Sequence, residues 1–225
     1  MIPLNQRLKK VSSYIKGDCL ADIGSDHAYL PIYAIDNNIV KTAIAGEVIK
    51  GPYDASKRSV SDHQLNSVID VRLGDGLSVI EEKDDISSIT ICGMGGPLIA
   101  KIISEGSDKL QNRPRLILQS NIQSSAIRKC LAQLNYEVIA EDILEEKGHK
   151  YEIIVADFTK QQIQLTEIEE KFGPKLVMNK NQLFYKKWKH ELNSLYKIKQ
   201  NLNPQQHHDR LKEIDEEINL INEVI

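Results

Sequence analysis

Asp22 and Asp26 bracket a single glycine in the run Asp22-Ile23-Gly24-Ser25-Asp26-His27-Ala28-Tyr29-Leu30-Pro31, directly after an apolar stretch. That order puts a strand, an acidic residue, a turn and a second acidic residue where the first strand of a Rossmann-type sheet passes into its first helix. A nucleotide-shaped ligand there lies against backbone that only glycine lets come close. The run lacks the three glycines of a dinucleotide fingerprint. A carboxylate at Asp22, where a pyrophosphate would sit, repels phosphate and suits a positive amino group. This chemistry favours S-adenosylmethionine, a sulfonium with an amino-acid tail, over NAD, and with it methyl transfer. The same residues also make an ordinary strand end with a turn, so other segments must decide.

Four of them fall at strand ends, where ligands of doubly wound sheets bind. Glu47, after Ala43-Ile44-Ala45-Gly46, is placed to accept hydrogen bonds from ribose hydroxyls, with Val48 beside it and Gly51-Pro52 ending the turn. In Gly74-Asp75-Gly76-Leu77, Asp75 can accept from an adenine amino group while the glycines, Gly76 among them, allow close approach. Ile91-Cys92-Gly93-Met94-Gly95-Gly96-Pro97 has glycines that packing does not readily explain, so a ligand is expected against Cys92, Gly93 and Met94. Methyltransferases of this sheet bring donor methyl and acceptor together at this point. The Asp/Asn-Pro-Pro-Tyr/Phe of enzymes that methylate amino groups in DNA is missing, which makes a ring nitrogen the better acceptor. Cys92 could serve as a nucleophile, but free cysteines are usually inert core residues.

Gln119-Ser120-Asn121 ends the fifth strand with polar side chains suited to the edge of an acceptor base or to the methionine tail, Asn121 foremost. Asp26 is the candidate to hold the exocyclic amine of an adenine and share its proton as charge develops on the ring, with Tyr29 stacking or bonding beside it. Helix N-capping is the competing role for Asp26. His27 is placed with the cofactor; beside a turn, such a histidine is more often structural than a general base. No Cys/His cluster argues for a metal. Arg7, Lys9 and Lys10, with Lys147, His149 and Lys150, are candidate contacts to an RNA backbone, with plain solvated surface as the alternative.

These positions require strands alternating with helices. Apolar runs at 19–23, 42–46, 69–73, 88–92, 115–119, 136–140 and 151–158 meet that need. Most are separated by helical stretches, which implies a parallel sheet with right-handed crossovers. Only 141–150 separates the last two, too short for a crossover helix, so an antiparallel edge is expected. Seven strands ending this way is the layout of the class I methyltransferase sheet, ordered 3-2-1-4-5-7-6.

After Phe158 the chain turns to polar helix, broken at Gly173-Pro174 and Asn201-Leu202-Asn203-Pro204. Residues 1–160 are assigned to a Rossmann-like α/β domain and 161–225 to a helical one. Leu211, Ile214, Ile218, Ile221 and Ile225 form a coiled-coil seam, matched upstream by Phe184, Trp188, Leu192, Leu195 and Leu202, so an antiparallel helical hairpin is expected. Lys180, Lys186, Lys187, Lys189, Lys197 and Lys199 lie on the first helix and acidic residues dominate the second. Mutual neutralisation is the simpler reading; a Lys-rich grip on RNA beside Trp188 or Tyr185 is the other.

The 225 residues suffice for one sizeable α/β domain and a smaller part. A net charge of −3 leaves nucleic-acid binding to local basic patches. No apolar run is long enough for a membrane span. The start, Met1 to Arg7, lacks the apolar core of a signal peptide, and Cys19, Cys92 and Cys130 cannot all pair, so a reducing, cytoplasmic compartment is expected.

The run 22–31, Gly51-Pro52, Gly74-Asp75-Gly76, Gly93-Met94-Gly95-Gly96 and Tyr151-Glu152-Ile153-Ile154, in this order, resemble the bacterial tRNA adenine-N1 methyltransferases of the TrmK type over essentially the whole chain. The resemblance implies methylation of N1 of adenine 22 in the D-arm region of tRNA, with S-adenosylmethionine as donor. It implies a soluble enzyme that needs no metal and no membrane, and a monomer is expected. Ser120 departs from the family's Gln-Pro-Asn, where proline stands. Two other readings predict different behaviour. A small-metabolite methyltransferase would turn over without RNA, and a non-catalytic RNA-binding or assembly module would bind RNA without methyl transfer.

Overall fold

The protein is described by a computed structural model covering residues 4–225; Met1, Ile2 and Pro3, which open the segment read for a signal peptide, lie outside the described residues. Runs rich in β-branched and small apolar residues become β1 (Cys19–Ile23), β2 (Thr42–Glu47), β3 (Ile69–Leu73), β4 (Ser88–Met94), β5 (Arg115–Ser120), β6 (Tyr136–Glu146) and β7 (His149–Phe158). Their order is β3-β2-β1-β4-β5-β7-β6. β1 to β5 pair in parallel, and β7 lies antiparallel between β5 and β6.

A parallel sheet must be covered on both faces. Ala21, Ile23, Ile89, Ile91, Leu116 and Leu118 point to one side, against α4 (Gly96–Glu105) and α5 (Ser125–Gln133). Leu20, Ala43, Ala45, Ile117, Ile153 and Val155 alternate to the other, against α1 (Gln6–Ser12), α2 (Tyr29–Asp36) and α3 (Lys50–Asp62). With both faces buried, ligands are left the strand ends.

The last two strands are longer than their apolar runs. Residues 141–150, expected as a connection, instead prolong the ladder down to Glu146 opposite His149. Lys147 and Gly148 close it with φ of 50° and 80°, a pair of left-handed residues that matches the twist of a hairpin. Gly51-Pro52 does not end a turn: both residues lie in the first turn of α3, where proline gives up an N–H that has no helical partner.

The C-terminal part comprises α6 (Glu167–Phe172), α7 (Pro174–Met178), α8 (Gln182–Asn201) and α9 (His208–Val224). Lys180 Nζ donates to the Val224 carbonyl at 2.7 Å and Lys199 pairs with Asp215, so α8 and α9 run in opposite directions. Their core holds Phe184, Trp188, Leu195, Ile214, Ile218, Ile221 and Val224, and it also takes in Phe172, Leu176 and Ile143 of β6. Val224, not Ile225, fills the last core position. The helices therefore pack on the sheet edge as well as on each other. Lys180 falls before α8, which Asn181 caps by accepting from the Phe184 N–H at 2.9 Å.

Neutralisation between the two helices is mostly not what the lysines do. Lys186 pairs with Glu145 at 2.7 Å and Lys187 with Glu152, both on the β6–β7 hairpin. Beneath them Arg128 of α5, 0% exposed, donates Nε to Glu141 at 2.7 Å and Nη2 to Glu152 at 2.8 Å, while Nη1 reaches the carbonyls of Glu170 and Lys171. Glu141 in turn accepts from the N–H groups of Lys175 and Leu176. Burial alone would raise the Glu152 carboxyl; Lys187 and Arg128 outweigh it and hold it down at about 2. Arg128→Ala leaves the buried Glu141 without a cation and Glu152 with Lys187 alone, so urea unfolding is expected to show a loss of about 3–5 kcal/mol. Arg128→Lys should not restore it, because one ammonium cannot span this fork.

Candidate active site

The chain reverses its strand order between β1 and β4, and the carboxyl ends on either side of such a switch are where sheets of this kind bind ligands. Period-two alternation brings Asp22 of β1 onto the same face as its register partner Thr90. Asp22 is 4% exposed; Oδ1 accepts from Thr90 Oγ1 and Oδ2 from Ser25 Oγ, each at 2.6 Å. Burial pushes its carboxyl up, and the two hydroxyls pull it back only in part.

The turn that follows is tied to β2. Gly24 and Ser25 donate their N–H groups to the Gly46 carbonyl at 2.9 and 3.2 Å, and Asp26 N–H donates to Glu47 Oε1 at 2.6 Å. Held in this way, Gly24, Asp26, His27 and Ala28 all have positive φ, between 44° and 70°. For the three that are not glycine this costs about 1–2 kcal/mol each, the kind of strain that gathers at functional sites. Ala28, left-handed and buried, occupies the cap position of α2, which has no side-chain cap. Asp26 is therefore not a helix cap. Its side chain is 84% exposed, beside His27, whose ring stacks on Tyr29 with centroids 5.2 Å apart.

Glu47 is buried at the end of β2, and burial pushes its carboxyl up too, while the Asp26 N–H opposes the shift. Asp22 and Glu47 thus end neighbouring strands with no ion pair to a protein cation among the described residues. Val48 and Ile49 stand exposed next to them, as do Leu73, Leu98 and Ile122 after or near other strand ends. Asp75 is exposed ahead of the 3-10 turn Gly76–Val79 and caps nothing.

β4 ends in a bulge. Its register against β5 slips between Cys92 and Met94, leaving Gly93 as the extra residue with φ of 79°. The buried Gln119 accepts from the Gly93 N–H at 2.9 Å through Oε1, and Asn121 donates Nδ2 to the Gly93 carbonyl at 2.8 Å. The glycines here answer mainly to the protein itself. A Cβ on Gly96 would sit 2.0 Å from the Gln123 carbonyl oxygen and one on Gly24 2.4 Å from Met94 Cε, whereas Gly95 has only ordinary contacts at 3.7 and 3.9 Å. Ser120 shares a 2.7 Å hydrogen bond with Ser124 Oγ. Burial, with Asp22 adding to it, pushes the Cys92 thiol up, against a role as nucleophile.

The basic residues do not act as one group. Arg7, expected on RNA phosphate, is instead half-buried at the base of the site: Nη1 donates to Gln119 Oε1 and the guanidinium carbon lies 5.2 Å from the Tyr151 ring centroid. Lys10 is paired with Asp142 at 3.0 Å. Lys9 and Lys147 are exposed, as is His149. Lys150 lines a cleft of about 560 Å³ that runs from Asn121 and Ile122 to Lys187, Trp188 and His190 on α8. The sequence does not point to Thr90 or Arg7 for these contacts, apart from one signal: a polar Thr90 inside the run Ile89-Thr90-Ile91, three strands on from Asp22. Among the described residues no group of His, Cys, Asp and Glu is arranged to hold a metal ion, and no helix is long and apolar enough to cross a membrane.

Comparison with known proteins bears on this geometry. The family described as tRNA (adenine(22)-N(1))-methyltransferase, TrmK, matches residues 20–223. The Bacillus subtilis tRNA (adenine(22)-N(1))-methyltransferase is 45% identical over 233 aligned positions, covering 100% of this chain and 98% of the relative. Among solved structures, a Streptococcus pneumoniae protein in complex with S-adenosyl-L-methionine superposes with a TM-score of 0.90 at 40% identity, covering 99% of each chain. Mycoplasma capricolum TrmK with S-adenosyl-homocysteine, described as its natural cofactor product, gives 0.89 at 32% identity, covering 98% of this chain and 96% of that one.

Gly96→Ala is expected to lower the melting temperature by several degrees and Gly95→Ala to leave it within a degree or so, roughly what a clash of backbone against Cβ and an open position imply. Iodoacetamide at pH 8 should label Cys92 at least about tenfold more slowly in the folded than in the urea-unfolded protein, read by peptide mass spectrometry.

Proposed function

Since the chain belongs to the TrmK family of tRNA (adenine(22)-N(1))-methyltransferases, we propose that the strand ends around Asp22 and Glu47 hold its methyl donor and that Asp26, Tyr29 and Asn121 receive the target base. The enzyme transfers a methyl group from S-adenosylmethionine to N1 of adenine 22 in tRNA. The observation that carries the assignment of the site is the pair of buried carboxylates, both pushed up and neither matched by a cation among the described residues. Such a pair gains by taking a cationic ligand and would reject a pyrophosphate.

The residues fit that donor. Asp22, although both oxygens are engaged, keeps lone pairs for an ammonium, and Glu47 Oε2 is free for ribose hydroxyls. Val48 offers apolar surface to one face of an adenine ring and Asp75 an acceptor for its amine, with Gly24, His27, Gly76, Cys92, Gly93 and Met94 assigned to the same donor. When bound, S-adenosylmethionine supplies an electrophilic methyl on positive sulfur.

Adenine N1 already carries a lone pair, so the protein's task is alignment more than deprotonation. N1 lies on the pairing edge of the base, which must leave its stack first, at a cost of a few kcal/mol. Tyr29, with His27 stacked beneath it, presents a ring to the extruded base. The exposed Asp26 carboxylate can accept from the exocyclic amine and stabilise charge as it builds on the ring. Asn121, anchored at the bulge, offers its remaining amide hydrogen and lone pair to the base edge. Lys9, Lys147 and Lys150 are left for the RNA backbone, and the cleft past Asn121 gives the strand a path along α8. The monomer is taken as the catalytic unit, acting in the cytoplasm beside its tRNA.

Incubation with labelled S-adenosylmethionine and bulk bacterial tRNA should yield N1-methyladenosine; label confined to small molecules would overturn the acceptor assignment. Asp26→Asn removes a charge but keeps the shape, and is expected to lower kcat by about tenfold to hundredfold, with donor affinity kept within about twofold. Donor binding by calorimetry should weaken from pH 7.5 towards pH 5, because protonation of the raised carboxyls of Asp22 and Glu47 removes the charge that attracts it.

A further inference from the structure

Arg7 comes from α1, far in sequence from the sheet residues it meets, and its placement has a consequence for Asn121. The side chain of Gln119 is buried, and both its oxygen and its nitrogen are engaged. Its Oε1 accepts from two donors, the Gly93 N–H at 2.9 Å and Arg7 Nη1, so its Nε2 is turned to Asn121 Oδ1 at 3.2 Å. An amide of glutamine is nearly symmetric in shape, and only its partners decide which end faces which way. Reversed, it would set an N–H against the N–H of Gly93 and against a guanidinium, two repulsive contacts in a buried place.

The orientation passes on. With Oδ1 taken up by Gln119, Asn121 turns Nδ2 to the Gly93 carbonyl at 2.8 Å, and its backbone N–H donates to the Met94 carbonyl at 2.8 Å. One hydrogen and one lone pair of the Asn121 amide remain, and their directions are settled by the residues behind it. Arg7 is held in place for this by the Tyr151 ring and by Glu146, which accepts from the Gln6 N–H at 2.9 Å. Its Nε is buried with no acceptor among the described residues, a cost that a purely structural arginine would avoid.

We propose that Arg7 and Gln119 are positioning residues, a relay that fixes the amide orientation with which Asn121 meets the acceptor adenine. The relay rests on the methyl-transfer reading of the same site. Arg7 contributes through its donor and charge, which polarise the two amides in series.

Gln119→Glu is the discriminating variant, because a carboxylate still accepts from Gly93 and Arg7 but has no N–H for Asn121. It is expected to lower kcat by about tenfold while calorimetric affinity for S-adenosylmethionine and the melting temperature stay near wild type. In the Asn121→Ala background the same change should cost nothing further, since the relay has lost its endpoint. The Asn121 side-chain amide signals in 1H–15N spectra should shift in Gln119→Glu without any substrate present. Arg7→Met, which retains packing on Tyr151, should reduce kcat by about threefold to tenfold, with partial recovery in Arg7→Lys; this pair carries the test should Gln119→Glu fail to fold. Wild-type kcat in Gln119→Glu, or additive losses in the double variant, would overturn the relay. Failure of the wild-type enzyme to methylate tRNA would instead defeat the methyl-transfer reading, while the spectral shift would still report on the relay.

Discussion

Three backbone N–H groups, those of Gly24, Ser25 and Asp26, reach across from the end of β1 to Gly46 and Glu47 at the end of β2, and this tether holds the reactive end of the molecule in shape. Without it, Asp26, His27 and Ala28 would have no reason to stay left-handed in succession, since residues with a Cβ avoid that region. The tether uses a charged acceptor, which strengthens the bond from Asp26 and at the same time keeps Glu47 in place at the end of β2. These three bonds therefore set the positions of Asp26, the ring pair His27–Tyr29 and Glu47 together.

Asp22 stands one layer below. Its hydroxyl partners Ser25 and Thr90 spare it from being an unpaired polar group, yet neither neutralises it. A buried carboxylate satisfied by hydrogen bonds but unmatched in charge is stable only at a cost, and a cationic ligand removes that cost. Preference for a sulfonium donor over a phosphate-bearing one then follows from charge placement, not from the shape of the sheet, which many unrelated activities share.

The second structural dependence is the buried cluster around Arg128. It draws together α5, both strands of the β6–β7 hairpin, the segment joining α6 to α7 and, through Lys187, helix α8. Charges removed from water in this way add little net stability over apolar packing, but they punish misplacement of any partner. Glu152 and Lys187 also line the cleft that begins at Asn121, so the same contacts that dock the C-terminal helices shape that cleft. Ile143 in the helical core makes the same connection by packing.

Strand positions, their parallel order and the antiparallel end were legible because apolar runs of strand length alternate with helical spacing; Asp22 stands out as the acidic residue within the first run, and Glu47, Asp75 and Gly93 as residues just past later ones. Local chemistry also made methyl transfer legible, through an acidic residue where a phosphate site needs amides. Other features were not local. Gly96 reads as room for a ligand until the Gln123 carbonyl is seen against it, and Arg7 reads as a surface cation until Gln119 and Tyr151 close round it. The lysines of α8 looked like partners for the acidic α9, whereas two of them reach the hairpin because the helix lies on β6. Sequence alone determined which backbone segments form strands and which residue types stand at their ends, since both follow from short-range periodicity. The tertiary structure decided which charges meet, which amide ends face the site and which glycines the protein needs for itself, since those depend on groups that only folding brings within bonding distance.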